Sequence, residues 1–390
     1  MERLRSFLAA NAPSFEIHLR DGWFYAVKKG MHPDAESIVF RADMDALPMD
    51  EEVVCSADGF PAAWGSESPG VSHKCGHDGH CAALCGLAME LDRIETRRTV
   101  YLVFQPAEEI GAGGERCAEL IREKGIGEVY AFHNLSGYPE GEIVYRRGLT
   151  QPASEGLEIR FTGRQSHASA PENGRNPAEA VAAVVLYTGE IAGAGQTQKE
   201  KQTKVQAETQ TQTQTQNKTP AGSEPQPSSE NMIGIQTVSM KLCTITGVQI
   251  GTGDFGISPG EGTLRMTLRA EIEEEMMEME QKILTFAQVQ AEKYGLQISH
   301  RIFDYFPETR NSDEELGRVL AAAAKLQLPA REMPELWRAS EDFGWYLKKC
   351  PGAMFYVGTG EDWPALHTKE YDFNDRILRP AVDLFLELAK

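Results

Sequence analysis

Residues 100–109 read VYLVFQPAEE: five apolar residues stop at Gln-Pro-Ala and two adjacent carboxylates, Glu108 and Glu109. A run this short, rich in Val and aromatics and closed by proline, predicts a strand that ends where polar chemistry begins. The pattern recurs. Residues 37–40 (SIVF) run into Arg41-Ala-Asp-Met-Asp45, residues 129–132 (VYAF) into His133-Asn134, and residues 353–357 (AMFYV) into Gly358-Thr-Gly360. Helical stretches at 82–93, 113–124 and 380–388 alternate with these runs. The alternation predicts an α/β domain whose mostly parallel sheet has helices on both faces. In open sheets of this kind ligands bind beyond the carboxyl ends of the strands, where these polar residues fall.

The middle of the chain changes character. Residues 156–162 and 263–270 alternate as half-buried strands, 177–191 and 271–294 read as helices, and 296–303 as a further strand. This β-α-β-β-α-β order predicts a smaller, ferredoxin-like α+β domain at 154–308, inserted into a discontinuous first domain of 1–153 and 309–390. Within the insert, residues 193–230 form a Gln/Thr/Pro/Ser tract with too little apolar content to offset the entropy of ordering. A disordered loop is expected there.

A net charge of −19 argues against a nucleic-acid or anionic-membrane partner. No apolar run approaches the length of a membrane span. The opening MERLRSFLAANAPSF lacks the apolar core and cleavage site of a signal peptide, so a cytoplasmic location is expected. Seven scattered cysteines, an odd number, suit a reduced chain with buried thiols better than a disulfide framework.

Residues 72–88, SHKCGHDGHCAALCGLA, concentrate thiols and imidazoles. Cys75 and His77, two apart, point to one side of an extended segment and suit zinc and related metals. The Cys-x5-Cys-x3-Cys spacing fits no common structural zinc pattern, and Cys81 and Cys85 read as packing on an Ala/Leu-rich helix. Of the pair Glu108–Glu109, one can ligate a metal while its neighbour accepts a proton; a solvated acidic helix start is the plainer reading of the pair alone. A lone His133 or His367 is equally ordinary. Together, Cys75, His77, Glu109 and His133 lie in loops that one sheet edge can gather.

These motifs, RADMDALP (41–48), HKCGHDGH (73–80), FQPAEE (104–109), FHN (132–134), GRQSHASAPENGRNP (163–177), SEDFG (340–344) and LHTKEYDFND (366–375), resemble a known family. It comprises metal-dependent amidohydrolases that include hippurate hydrolases, N-acetyl-diaminopimelate deacetylases and plant auxin-conjugate hydrolases, related to aminoacylases and glutamate carboxypeptidases. The resemblance runs from residue 41 to the C-terminus. It implies two divalent ions, zinc or manganese first and cobalt or nickel as options, held by Cys75, His77, Glu109, His133 and His367 with the Cys75 thiolate as bridge. Glu108 is then the general base, and Asp43, Asp45 and Asp78 orient the ligands. His73 and His80 are left as local structural groups. His167 takes the place of the family's oxyanion donor, often across a dimer interface, and a homodimer through the inserted domain is implied. Arg269 and Asn311 match positions that contact a substrate carboxylate or carbonyl.

The chain departs from the family in three respects. The leading helix and its His-x-x-Pro-Glu segment are expected to be missing, and the insert carries the low-complexity tract. The lid's Asn-x-Ile-Pro segment stands here as Phe255-Gly-Ile-Ser-Pro259, without the Asn, which weakens the case for carboxylate recognition by Arg269. The function implied is hydrolysis of the amide of a small N-acyl amino acid. A dipeptidase or carboxypeptidase with the same two-metal site is the neighbouring reading. A non-catalytic binding protein on the same fold predicts a missing ligand or base, and a structural zinc protein predicts unfolding on chelation.

Overall fold

The structure is a computed structural model describing residues 1–32, 34–51, 65–191 and 239–390. The loop expected at 193–230 lies outside the described residues. The chain divides into two compact units, Met1–Ser154 with Asp304–Lys390, and Glu155–Phe303.

The first unit is built on an eight-stranded sheet. Its four central strands, in spatial order Val100–Gln105, Ser37–Asp43, Ile126–Leu135 and Gly352–Gly358, run parallel. The hairpin of Glu16–Arg20 and Trp23–Lys28 extends one side antiparallel. On the other side Ile143–Tyr145 pairs antiparallel with Gly352–Gly358 and carries the short strand Ala330–Glu332.

Side chains alternate across a strand, so each central strand feeds two cores. Ile38, Phe40, Leu102, Phe104, Tyr130, Phe132, Phe355 and Val357 pack under the helices His77–Asp92, Asp313–Lys325 and Leu378–Ala389. Their neighbours Val39, Val103, Val129, Ala131, Met354 and Tyr356 face the helix Gly114–Lys124 and Tyr346. Burial on both faces is why these strands read as continuous apolar runs. A helix over Glu2–Asn11 seats Leu8 in the first core.

The second unit holds a four-stranded sheet in the order Lys241–Ile250, Glu261–Ala270, Ala153–Thr162, Gln297–Phe306. Leu157, Ile159, Phe161, Leu264, Met266 and Leu268 are its buried row, with Met276, Met279 and Ile283 of the helix Glu273–Tyr294. Residues 178–191 form a second helix, and its Tyr187 stacks on Phe286 at 4.1 Å. Among the described residues no helix is long and apolar enough to cross a membrane.

Candidate metal centre

The parallel strands deliver their carboxyl ends to one edge of the sheet. From Val100–Gln105 the chain turns through Pro106 and Ala107, whose φ of +56° is left-handed. The turn closes by Gly111 N–H to Glu108 O at 2.8 Å and Ala112 N–H to Ala107 O at 3.0 Å. Gly113 completes it, since a Cβ there would meet Pro106 O at 1.7 Å. Such strained backbone persists where surrounding structure imposes it. It sets Glu108 and Glu109 beside the ends of the neighbouring strands.

Cys75 and His77 flank Gly76, which has φ of +88° and lies so close to Asn134 that a Cβ would sit 2.6 Å from its Oδ1. His77 opens the helix His77–Asp92 and is fully buried. His133 lies in the strand Ile126–Leu135, where its Nδ1 bonds the Asn134 carbonyl at 2.8 Å. Its Nε2 is left 3.5 Å from Cys75 Sγ. His367, another left-handed residue at φ +62°, places Nε2 3.3 Å from Cys75 Sγ and 3.6 Å from Glu109 Oε1.

The donors fall into overlapping sets whose atoms all lie within 4.8 Å of one another: Cys75, His77 and His133; Cys75, Glu109 and His367; His77, Glu108 and Glu109. Around them, His77 Nδ1 is 3.1 Å from the Asp45 carbonyl, and Asp45 Oδ2 accepts the Glu109 N–H at 3.0 Å. Asp43 Oδ1 lies 2.6 Å from His80 Nδ1, and the other ring nitrogen is 2.6 Å from Asn134 Oδ1.

Beneath Glu108 sits a fully buried charge cluster. Arg41 bonds Asp43 at 2.8 Å and Asp342 at 2.7 Å and pairs with Glu341 at 3.0 Å. Gln105 and the Gly114 N–H complete the shell of Asp342. Glu341 and Asp342 lie within donor range of Glu108. Burial first, then these two carboxylates, hold the Glu108 carboxyl well above its ordinary range. Burial also raises Glu109 and the Cys75 thiol. Burial lowers His133, and the neighbouring His80 adds to it.

The structure therefore brings together Cys75, His77, Glu108, Glu109, His133 and His367, with Asp43 and Asp45 behind them. Asp78 is exposed and accepts the N–H of Gly79 in its own helix turn, so it orients none of them. Asn311 is buried with its amide spent on main chain: Nδ2 donates to the Arg146 and Met354 carbonyls, and Oδ1 accepts the Met354 N–H. His167 and Arg269 belong to the second unit. His167 is exposed in the short strand Ser166–His167, with Nδ1 taken by Ser169. Arg269 lies on Glu261–Ala270, on the side opposite the buried row. Sequence reasoning gave no task to Arg41, Lys74, Asn134, Glu341, Asp342 or Tyr371, and left His80 as a local structural group. All of these sit inside the quoted motifs, and that placement was the available signal.

The sequence model of peptidase family M20/M25/M40 matches residues 39–390. The chain belongs to that family. An N-acetylcysteine deacetylase of Bacillus subtilis is 30% identical over 363 residues, covering 91% of this chain and 81% of the relative. The hippurate hydrolase of Campylobacter jejuni is 27% identical over 368 residues, with 91% and 81% covered. Among solved structures, the Bacillus subtilis YXEP protein, described as a dinuclear metal-binding peptidase of the M20 family, superposes with a TM-score of 0.71. It is 24% identical, and the match covers 100% of this chain and 90% of that one. This M20 chain is an amidohydrolase with the family's two-part fold.

The residues present fit the divalent ions that the M20 family implies. His77 Nε2 and Glu109 Oε1 are buried without a hydrogen-bond partner among the described residues and face each other at 3.8 Å. Orphaned buried polar atoms are costly unless something satisfies them. A cation among thiolate, imidazole and carboxylate donors satisfies these atoms.

Proposed function

We propose that this chain hydrolyses the amide of a small N-acyl amino acid, with Glu108 as general base beside a dinuclear centre. The supporting observation is the overlap of two compact donor sets on Cys75. One set adds His77 and His133, and the other adds Glu109 and His367. Two divalent ions, zinc or manganese by the mixed donor set and cobalt or nickel by the same chemistry, supply Lewis acidity that polarises the carbonyl and acidifies water.

The chain's own residues do the rest. Glu108 Oε2 lies 3.8 Å from His77 Nε2, close enough to take a proton from water at the centre and deliver it to the leaving nitrogen. Asp45 holds His77 and Glu109 in register, and Asp43 anchors Arg41 and His80. His167 is the oxyanion donor in this reading. Its Nδ1 accepts the Ser169 N–H, which leaves the ring proton on Nε2, where a donor needs it. Arg269 is the partner for a substrate carboxylate. Names of relatives favour N-acyl amino acids as the substrate class. A homodimer through the inserted unit is supported by the edge strands Lys241–Ile250 and Gln297–Phe306, which expose Val248, Ile302 and Phe303.

The test is a panel of N-acetyl, N-benzoyl and dipeptide substrates with metal-loaded wild type and Glu108→Gln. The variant is expected to keep its ions and lose about 10²–10⁴-fold in turnover, the usual scale of general acid–base catalysis. Undiminished hydrolysis by Glu108→Gln sinks the mechanism, and turnover confined to dipeptides replaces the substrate class.

A further inference from the structure

Four of the five proposed ligands stand on a strand, at a helix start or in a tight turn. His367 stands in the irregular segment 361–374 between the strand Gly352–Gly358 and the turn Asp375–Ile377. It is also left-handed, a conformation that costs a non-glycine residue roughly 1–2 kcal/mol and so must be imposed.

Lys74 grips this segment at two points. Its carbonyl accepts the His367 N–H at 2.8 Å, and its Nζ donates to the Tyr371 carbonyl at 2.5 Å. The side chain is only 2% exposed, and its remaining contact, Glu51 Oε1 at 3.0 Å, fixes the ammonium. A buried ammonium donating to a main-chain carbonyl is a strong, charge-assisted tie. A second tie runs in parallel: Asn134 Nδ2 donates to the Tyr371 hydroxyl at 2.6 Å and to the Cys75 carbonyl at 3.1 Å.

We propose that Lys74 is a positioning residue that holds His367 at the metal centre, so the Lys74-Cys75 pair carries both a shared ligand and the clamp for a remote one. The inference rests on the proposed ligand set. It predicts selectivity: loosening the clamp weakens the ion of Cys75, Glu109 and His367 and spares the ion of Cys75, His77 and His133. A residue that merely supported the fold would weaken both alike.

The experiment is zinc titration of the full chain against a competing chelator, resolving two dissociation constants, for wild type, Lys74→Met, Tyr371→Phe and the reference variant His367→Ala. Lys74→Met is expected to weaken one ion by about 10–100-fold, the scale on which outer partners of ligands act. That ion should be the one His367→Ala loses, while the other changes little. Tyr371→Phe cuts the parallel Asn134 tie, keeps the carbonyl that Lys74 holds, and should show the same selectivity to a smaller degree. If Lys74→Met does not fold, Glu51→Gln, which frees the ammonium, is titrated in its place and should weaken the same ion. Equal weakening of both ions, or unchanged affinities when the Lys74 tie is loosened, overturns the clamp. A wild type that binds none of zinc, manganese, cobalt and nickel overturns the metal centre itself, and the clamp with it.

Discussion

His367 Nε2 stands 3.3 Å from Cys75 Sγ across 292 residues of chain. The same thiol is 3.5 Å from His133 Nε2, so one sulfur touches donors from a strand end and from the C-terminal segment. Cys75 is the member common to both proposed ion sites. Cys75→Ala should therefore cost both ions, and hydrolysis should fall at least ~10²-fold, since even outer partners are worth ~10–100-fold in affinity or activity. Elemental analysis of the purified variant checks this. Cys81→Ala is the control: its buried thiol donates to the Asp43 carbonyl at 3.0 Å and should leave metal content unchanged. Two ions retained by Cys75→Ala would refute the shared thiolate.

The contrast between Cys75 and Cys81 shows what the sequence can and cannot display. The central strands were legible because burial on both faces leaves an uninterrupted apolar run. The Glu16–Arg20 hairpin strand and the short Ala330–Glu332 strand are half-exposed or exposed edges, and their residues carry no such signal. In the candidate site, residues such as Cys75 and Glu109 stood out by type and spacing. Arg41, Glu341 and Lys74 did not, because a buried charge and a surface charge look alike until the fold brings partners from opposite ends of the chain.

Arg41 is where that hidden layer is most exposed to mutation. It is the buried cation facing Asp43, Glu341 and Asp342, and burial of an unpaired charge is among the costliest defects a core can carry. Arg41→Met should destabilise the chain by roughly 3–5 kcal/mol, read from the urea midpoint at constant m-value. Adding Glu341→Gln and Asp342→Asn to that variant should restore part of the loss. A triple variant no more stable than Arg41→Met would show that the carboxylates are not balanced by the arginine.

Metal removal should separate catalysis from folding. The two cores of the first unit are assembled from strand and helix side chains, and the donor loops lie at one edge of the sheet. Chelation is expected to abolish hydrolysis while far-UV circular dichroism stays native-like, with re-addition of zinc or manganese restoring turnover. Loss of secondary structure in step with loss of metal would make the ions structural instead.

The last prediction concerns an acid remote from this chemistry in sequence. Glu155 heads the buried row of Leu157, Ile159 and Phe161 on the strand Ala153–Thr162, and its Oε1 has no hydrogen-bond partner among the described residues. Burial, followed by the Glu280 carboxylate, raises its pKa from 4.5 to about 8. The folded chain thus keeps a proton that the unfolded chain releases. From about pH 4.5 to about pH 8 the folded state binds the extra proton, so stability falls as pH rises through that window. Below it both states are protonated and the penalty vanishes; above it both are ionised and the penalty is constant. Glu155→Gln preserves the side chain's size and removes the titration. The difference in Tm, variant minus wild type, should therefore be smallest near the bottom of the window and grow steadily towards its top, by about 2–4 °C for each kcal/mol in a chain somewhat smaller than this one. Calorimetry of both proteins across the window reads this directly. A difference that stays flat with pH means that Glu155 is ionised in the folded chain throughout, and that the row it heads is wetter than its packing indicates.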